Sequence, residues 1–274
     1  MISTKKAFIF LSILLFTTPV WAKSPQALFT FIQLTDMQMG MIANNKNCDE
    51  EIRLYTLAIN QVNKLKPDFV IITGDLVNNR TDSNQLKAFK QITSIINKKI
   101  PVYIIPGNHD VGSKPTSETM DFYLNNYPTD KFSFTRKNVQ LIGINSSLIN
   151  SGIAAETDQW EWLKKVLTEN SNTTRKILFT HHPFFITDIN EKDKYENIPQ
   201  PKRQEYMELL KANGVVKIFA GHYHNNAIAQ HDDIEMITTS AVGKQLGKVK
   251  SGFRVVTVYK DSISYKYIEL PTDL

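Results

Sequence analysis

Short apolar runs alternate with longer amphipathic segments along most of this chain of 274 residues. Uninterrupted apolar runs are typical of buried strands, whereas apolar residues three and four positions apart are typical of helices. The first pattern predicts strands at residues 28–35, 69–73, 102–105, 139–145, 176–180 and 215–220. The second pattern predicts helices at residues 50–65, 82–97, 117–126, 156–169 and 204–212.

The C-terminal part of the chain has a different pattern, because strand-like runs follow one another there. Residues 236–240, 253–259 and 262–268 predict three strands separated by glycine and aspartate turns. Strands that alternate with helices and then continue alone predict an α/β sandwich with a mixed sheet. Neither an internal repeat nor a linker rich in proline and glycine divides the chain, so one domain is the simplest interpretation.

Five of the predicted strands are followed closely by a residue that can bind a metal ion. These residues are Asp36, Asp75, Asn108, His181, His222 and His224. Sites in open α/β sheets lie at the carboxyl ends of the strands, so we expect these side chains to meet. His222 and His224 alternate in an extended segment and therefore point to the same side.

The donor set contains oxygen and nitrogen but no sulfur. That mixture suits Mn, Fe or Zn better than Ca²⁺, which prefers ligand shells made of oxygen alone. Six protein ligands are more than one metal ion usually takes while keeping a position open. We therefore expect two divalent or trivalent metal ions that share a carboxylate.

The N-terminus has the pattern of a secretory signal peptide. Lys5 and Lys6 precede an apolar stretch at residues 7–16, and the small residue Ala22 suits a cleavage point. We therefore expect residues 1–22 to be a signal peptide and residues 23–274 to form a single exported domain, periplasmic or secreted. An uncleaved anchor is the alternative, although the apolar stretch is short for a membrane span.

Charge and cysteine content limit the partners and the disulfides that we expect. The formal net charge of +5 falls by two if the signal peptide is removed, and no lysine or arginine stripe runs along any segment. We therefore expect neither nucleic-acid binding nor, after cleavage, a stable membrane span. The single cysteine excludes an internal disulfide.

Five short motifs resemble those of the calcineurin-like metallophosphoesterases and occur in that family's order. They are Asp36-x-x, Gly74-Asp75, Gly107-Asn108-His109-Asp110, His181-x-Pro183 and Gly221-His222-x-His224. Within the family the chain is most similar to the branch of calcineurin-like phosphoesterase domain-containing protein 1. The sequences Asp-Met-Gln at 36–38 and Ser-Ala-Val-Gly-Lys-Gln-Leu-Gly at 240–247 carry that similarity.

The resemblance implies a four-layer αββα sandwich and a hydrolase for phosphate monoesters, including phosphoserine and phosphothreonine in proteins. It implies that Asp75 bridges two metal ions and that Asp36 and His224 bind the first. Asn108, His181 and His222 would bind the second. His109 would be catalytic, stabilising charge or protonating the leaving oxygen while a metal-activated hydroxide attacks phosphorus.

One position departs from the wider family, which usually has Asp-x-His where this chain has Asp36-Met37-Gln38. An amide oxygen can bind a metal, but more weakly than imidazole binds Zn²⁺ or Fe. Gln38 is therefore a candidate ligand of the first metal ion, a partner of a water on it, or neither. The identity of the metals stays open for the same reason.

Several interpretations stay open beside the leading one. A phosphodiesterase would use the same residues, and a binding protein that has lost turnover is a third possibility. His182 could support the ligands or only pack near them. Arg53, Arg80 and Arg203 are candidate phosphate contacts, and residues 187–200 could form a cleft wall or a plain surface loop.

Overall fold

The computed structural model of the protein describes residues 26–169 and 175–271. The strands are β1 (Ala27–Leu34), β2 (Phe69–Thr73), β3 (Val102–Ile105), β4 (Phe132–Arg136), β5 (Val139–Gly143), β6 (Arg175–Phe179), β7 (Val215–Ala220), β8 (Ala227–His231), β9 (Ile234–Thr238), β10 (Gly252–Tyr259) and β11 (Ile263–Glu269). The helices are α1 (Asp49–Leu65), α2 (Ser83–Thr93), α3 (Asn108–Val111), α4 (Ser117–Asn126), α5 (Ala154–Glu169) and α6 (Gln200–Ala212). The predicted signal peptide lies outside the described residues and stays a prediction.

The strands form two mixed sheets. The first sheet has the order β11-β10-β1-β2-β3, and the second has the order β4-β5-β6-β7-β9-β8. Strands β1, β2 and β3 run parallel, as do β5, β6, β7 and β9. Parallel neighbours end at the same edge, so each sheet brings the residues that follow its central strands to one place.

Three buried apolar clusters define the layers. Between the sheets, the ring of Phe31 on β1 lies 5.5 Å from Phe179 on β6 and 5.7 Å from Phe219 on β7, centroid to centroid. A second cluster packs the outer face of the first sheet against α1 and α2. A third packs the second sheet against α5 and α6. The predicted four-layer αββα sandwich is therefore confirmed.

The observed elements differ from the predicted ones at two strands and at three helices. The short helix α3 was not predicted, and α2 ends at Thr93 rather than at residue 97. The strands β4 and β8 were not predicted, because both are edge strands with several partly exposed residues and therefore give a weak apolar signal. Helix α6 begins at Gln200 rather than at residue 204. Pro201 lies in its first turn, where a missing N–H costs nothing.

Other helix boundaries follow the local chemistry of the chain. The Asp82 carboxylate caps α2 by accepting hydrogen bonds from the N–H groups of Asn84 and Gln85. Lys66, in the left-handed conformation before Pro67, ends α1. Among the described helices, none combines the length and apolarity that crossing a membrane requires.

Candidate metal centre

The predicted ligands come together where the carboxyl ends of the two sheets meet. The first sheet contributes Asp36 after β1, Asp75 after β2 and Asn108 after β3, and the second contributes His181 after β6 and His222 and His224 after β7. Backbone hydrogen bonds join the loops within each sheet. Asp36 N–H donates to Gly74 O at 3.0 Å, and Gly221 N–H donates to His181 O at 3.0 Å.

The backbone at this edge is held in an uncommon conformation. Five of the candidate site residues have left-handed φ angles: Asp36 (55°), Gln38 (43°), Asp75 (48°), His222 (66°) and His224 (51°). Such residues cost on the order of 1–3 kcal/mol each and persist only where the surrounding structure holds them. Five of the twelve described non-glycine residues with left-handed φ angles are candidate site residues, which is consistent with a functional site at this edge.

Two glycines allow the loops to approach one another closely. A Cβ atom on Gly221 would collide with the Thr35 hydroxyl and lie 2.5 Å from Asp36 Oδ2. A Cβ atom on Gly107 would collide with the Asp75 carboxylate. Only glycine fits at these two positions, because any larger residue would push the carboxylates out of place.

The first group consists of Asp36, Asp75 and His224, which are all buried. One ligand atom from each lies within 4.8 Å of the others, and His224 Nε2 is 3.3 Å from Asp36 Oδ1. The Thr35 hydroxyl donates to Asp36 Oδ2 at 2.7 Å, which fixes that carboxylate. This arrangement could hold one metal ion.

The second group consists of Asn108, His181 and His222, and it shares Asp75 with the first. The nitrogen His181 Nε2 lies 3.1 Å from Asn108 Oδ1, 3.2 Å from His222 Nδ1 and 3.4 Å from Asp75 Oδ2. Three donor atoms therefore lie within 3.4 Å of a fourth, His181 Nε2. His182 is also near enough to contribute a ligand atom, because one ring nitrogen from each of His181, His182 and His222 lies within 4.8 Å of the others. The Nδ1 atom of His182 lies 3.0 Å from the Ser146 hydroxyl.

Each histidine of the two groups uses its other ring nitrogen to contact a backbone carbonyl. The contacts are His181 Nδ1 to Thr73 O (2.9 Å), His222 Nε2 to Tyr195 O (3.0 Å) and His224 Nδ1 to Lys244 O (2.5 Å). A carbonyl accepts only from an N–H, so the opposite nitrogen is left with a free lone pair in the neutral ring. Metal-binding histidines are usually oriented in this way.

Ionisable side chains are concentrated in the candidate metal centre, and they shift one another's pKa values. Burial alone would raise the pKa of Asp75, but His181, with smaller contributions from His109 and His222, holds that pKa well below its ordinary value. Burial would lower the pKa of His181, yet Asp75 and Asp36 raise it to about 9. Ionised carboxylates at neutral pH favour a cation, and a metal ion that binds here displaces the His181 proton.

His109 lies beside the two groups and faces an open cavity. Its backbone N–H donates to Asp75 Oδ1 at 2.9 Å, and its Nδ1 lies 2.9 Å from Asn78 O. The cavity has a volume of about 430 Å³, and Arg80 and Tyr195 also line it. Because Nδ1 is occupied by the carbonyl, Nε2 is the nitrogen of His109 that is available to a substrate.

The Gln38 side chain is buried, two residues after Asp36. Its amide nitrogen donates to Asn78 Oδ1 at 3.2 Å, whereas its carbonyl oxygen has no hydrogen-bond partner among the described residues. A buried carbonyl without a partner costs free energy unless an ion or a water contacts it. The amide therefore fits the predicted role of a weak oxygen ligand.

A family model described as calcineurin-like phosphoesterase matches residues 29–226, which include every candidate ligand described above. The chain belongs to this family.

Two curated relatives support the assignment to the calcineurin-like phosphoesterases. The serine/threonine-protein phosphatase CPPED1 of Rattus norvegicus is 33% identical over 262 residues, which cover 88% of this chain and 84% of the relative. A probable glycerophosphodiester phosphodiesterase, GpdQ, of Arcobacter nitrofigilis is 30% identical over 226 residues, covering 78% of this chain and 79% of the relative.

A solved structure confirms the phosphoesterase fold. The dimetal phosphatase from Danio rerio superposes with a TM-score of 0.67 at 15% identity, covering 91% of this chain and 98% of the other. Family and relatives together confirm that the protein is a metal-dependent phosphoesterase. The two groups of ligand side chains, in a family of this kind, indicate two metal ions.

The arginines predicted as candidate phosphate contacts have three different positions in this phosphoesterase. Arg203 is fully buried and donates to the carbonyls of Ile198, Ile189 and Glu191, so its assignment as a phosphate contact is wrong. Arg53 is paired with Glu50 in a separate cavity. Only Arg80 lines the cavity that contains His109.

Asp110 has a supporting role that the sequence motif did not reveal. Its carboxylate accepts from Gly107 N–H at 2.8 Å and from Leu76 N–H at 3.0 Å, so it joins the loops that carry Asp75 and Asn108. Burial and the neighbouring Asp75 raise its pKa to about 8. The Gly-Asn-His-Asp motif pointed to this residue, but not to the function of its side chain.

Proposed function

We propose that this phosphoesterase hydrolyses phosphate monoesters, with phosphoserine and phosphothreonine in proteins as its substrates. The observation that carries the proposal is the position of His109, which contacts the shared Asp75 through its backbone N–H and lines the open cavity. The similarity to a serine/threonine-protein phosphatase over most of both chains supports the substrate class.

Asp36, Gln38, Asp75 and His224 would hold one metal ion, and Asp75, Asn108, His181 and His222 the other. When bound, such ions polarise the phosphoryl oxygens and lower the pKa of water. Gln38 would be a neutral oxygen ligand, so we propose that Mn²⁺, which suits carbonyl and carboxylate oxygens, occupies the first position more readily than Zn²⁺ does.

His109 would act on the leaving group. In its protonated form both ring nitrogens carry a proton, and Asn78 O accepts the one on Nδ1. Nε2–H is then oriented towards the cavity, where it can donate a proton to the departing alkoxide or stabilise its charge. Arg80, on the same cavity, can bind outer phosphate oxygens through its guanidinium group.

The proposal is tested with p-nitrophenyl phosphate and then with phosphoserine and phosphothreonine peptides. We expect turnover that chelation abolishes and that added Mn²⁺ or Fe restores. A protein that rebinds either metal yet hydrolyses none of these monoesters would contradict the proposal.

A phosphodiesterase is the second candidate function, and similarity to the probable glycerophosphodiester phosphodiesterase of Arcobacter nitrofigilis favours it. The two functions are separated by comparing the hydrolysis rates of p-nitrophenyl phosphate and bis-(p-nitrophenyl) phosphate under the same metal loading. A monoesterase prefers the first ester, and a preference for the second would assign the protein to diesters.

We further propose that the protein acts outside the cytoplasm after removal of residues 1–22. The support is the basic start, the apolar stretch and the small residue at position 22. Mass spectrometry of the protein recovered from an extracytoplasmic fraction tests this, with a new N-terminus at Lys23 expected. An intact Met1 in protein recovered from the cytoplasm would contradict it.

A further inference from the structure

The loop between β6 and α6 contacts the second group through one residue, Tyr195. The Tyr195 hydroxyl oxygen lies 3.0 Å from Asn108 Nδ2, and the Tyr195 backbone carbonyl lies 3.0 Å from His222 Nε2. Its ring also lies against that of His222, with centroids 4.8 Å apart. One residue outside the five motifs therefore contacts two of the three side chains that define the second group.

The hydroxyl contact determines which end of the Asn108 amide faces the second group. Asn108 Oδ1 faces His181 Nε2 at 3.1 Å, so the NH₂ end must find an acceptor on the other side. Tyr195 provides that acceptor. Without it the buried NH₂ would lose its partner, and the amide would gain by turning its oxygen away from the point where the donor atoms converge.

The backbone contact determines which nitrogen of His222 is free. A proton on Nε2 is held by the Tyr195 carbonyl, so the neutral ring presents the lone pair of Nδ1 to the second group. This contact does not depend on the identity of the side chain at position 195. It does depend on the position of the loop.

Buried side chains hold the loop in place. The Glu191 carboxylate accepts from Ile186 N–H at 2.8 Å and from Asn197 Nδ2 at 2.7 Å. Arg203, on α6, donates to three carbonyls of the same loop and is 0% exposed. Tyr195 itself is 64% exposed, so packing of its own side chain contributes little to its position.

We propose that Tyr195 is a positioning residue for the second metal ion, acting through the amide of Asn108 and the ring of His222. The inference rests on the proposed function, because it takes these two side chains as metal ligands. Its consequence is that the Arg203-anchored loop is part of the metal centre, although none of the family motifs includes it.

Calorimetric titration of the chelated full-length protein with Mn²⁺ alone tests the inference. Tyr195→Phe removes the hydroxyl and keeps the ring and the backbone carbonyl. We expect one of the two binding steps to weaken by about 10-fold, the lower end of what loss of an orienting partner costs, and the other to stay unchanged. Tyr259→Phe, at the end of β10 away from the centre, is the matched control and should bind as wild type.

A double-mutant cycle with Asn108→Asp separates positioning from a general effect on folding. A carboxylate has no NH₂ group to satisfy and can bind a metal through either oxygen. The Tyr195→Phe change should therefore cost much less affinity in the Asn108→Asp protein than in wild type. Thermal unfolding of each metal-free variant shows whether the fold is intact.

The outcomes are distinct. Wild-type affinity in Tyr195→Phe, or an equal loss in both backgrounds, would overturn the inference. A wild-type protein that binds both ions but hydrolyses no phosphate ester would overturn the proposed function and leave the inference standing. A wild-type protein that takes up no ion would overturn both.

Discussion

The two groups of the metal centre are built from different chemistry. The second group combines two imidazoles with an amide and the shared Asp75, and its other three donor atoms lie within 3.4 Å of His181 Nε2. The first group has the two carboxylates and one imidazole, with Gln38 in the position where the wider family has histidine. The neutral amide oxygen of Gln38, which has no hydrogen-bond partner among the described residues, would be its fourth donor.

Because of this difference, the two positions should bind metal ions with unequal affinity. Imidazole is a stronger ligand than an amide for Zn²⁺ and Fe, so the second group should bind its ion more tightly. With the Gln38 carbonyl as a ligand, as proposed, the first position would be weakened rather than lost. The predictions that follow test this asymmetry, from the largest expected effect to the smallest.

Asp75→Asn should have the largest effect, because Asp75 belongs to both groups. We expect both ions to be lost or bound weakly. Turnover should fall by more than the roughly 10³-fold loss that follows removal of one electrostatic stabiliser. Metal content by elemental analysis and the rate of p-nitrophenyl phosphate hydrolysis check this. Unchanged metal content and rate would refute the two-metal account.

His109→Ala should reduce catalysis while leaving both groups loaded. We expect the turnover number to fall by about 10²–10⁴-fold, the usual contribution of a general acid or base, with two ions still bound. Steady-state kinetics combined with metal analysis separates the two effects. Full activity in this variant would show that His109 is not the leaving-group acid.

Gln38 variants test the first group alone. Gln38→Ala removes a neutral ligand and should weaken the first ion by on the order of 10-fold, whereas Gln38→His should strengthen it. The second ion should be unaffected in both variants. If neither substitution changes Mn²⁺ titration, Gln38 is not a ligand and the asymmetry has another cause.

The pH dependence of the metal-free protein should show the smallest effect. His181 has a pKa of about 9 in the fold, above its usual value near 6.5. Its contribution to the free energy of unfolding is therefore fully present below pH 6.5 and is lost as the pH rises through 9. We expect the Tm of chelated protein to fall over that window and the His181→Gln protein to show a shallower fall.

Much of the fold and of the candidate site could be predicted from the sequence. Apolar runs marked the central strands, and the residues directly after them supplied the candidate ligands. This worked because parallel strands bring their carboxyl ends to one edge, so residues far apart in the chain meet there. The edge strands β4 and β8 were missed because several of their residues are partly exposed.

The supporting contacts could not be predicted in the same way. The partners of the three histidine rings are backbone carbonyls of Thr73, Tyr195 and Lys244, and a carbonyl is present at every position of a chain. Arg203 was a candidate phosphate contact because a guanidinium group binds phosphate oxygens well. Arg203 is buried under the loop because of tertiary packing, which the sequence pattern around it does not predict.

The most direct test of the central claim is a Mn²⁺ titration of the chelated protein in which bound metal and p-nitrophenyl phosphate hydrolysis are measured together. We predict two binding steps of unequal affinity, with the tighter step in the second group and with full activity only after the weaker step is complete. Full activity without metal, or after a single ion has bound with no further uptake, would contradict the account.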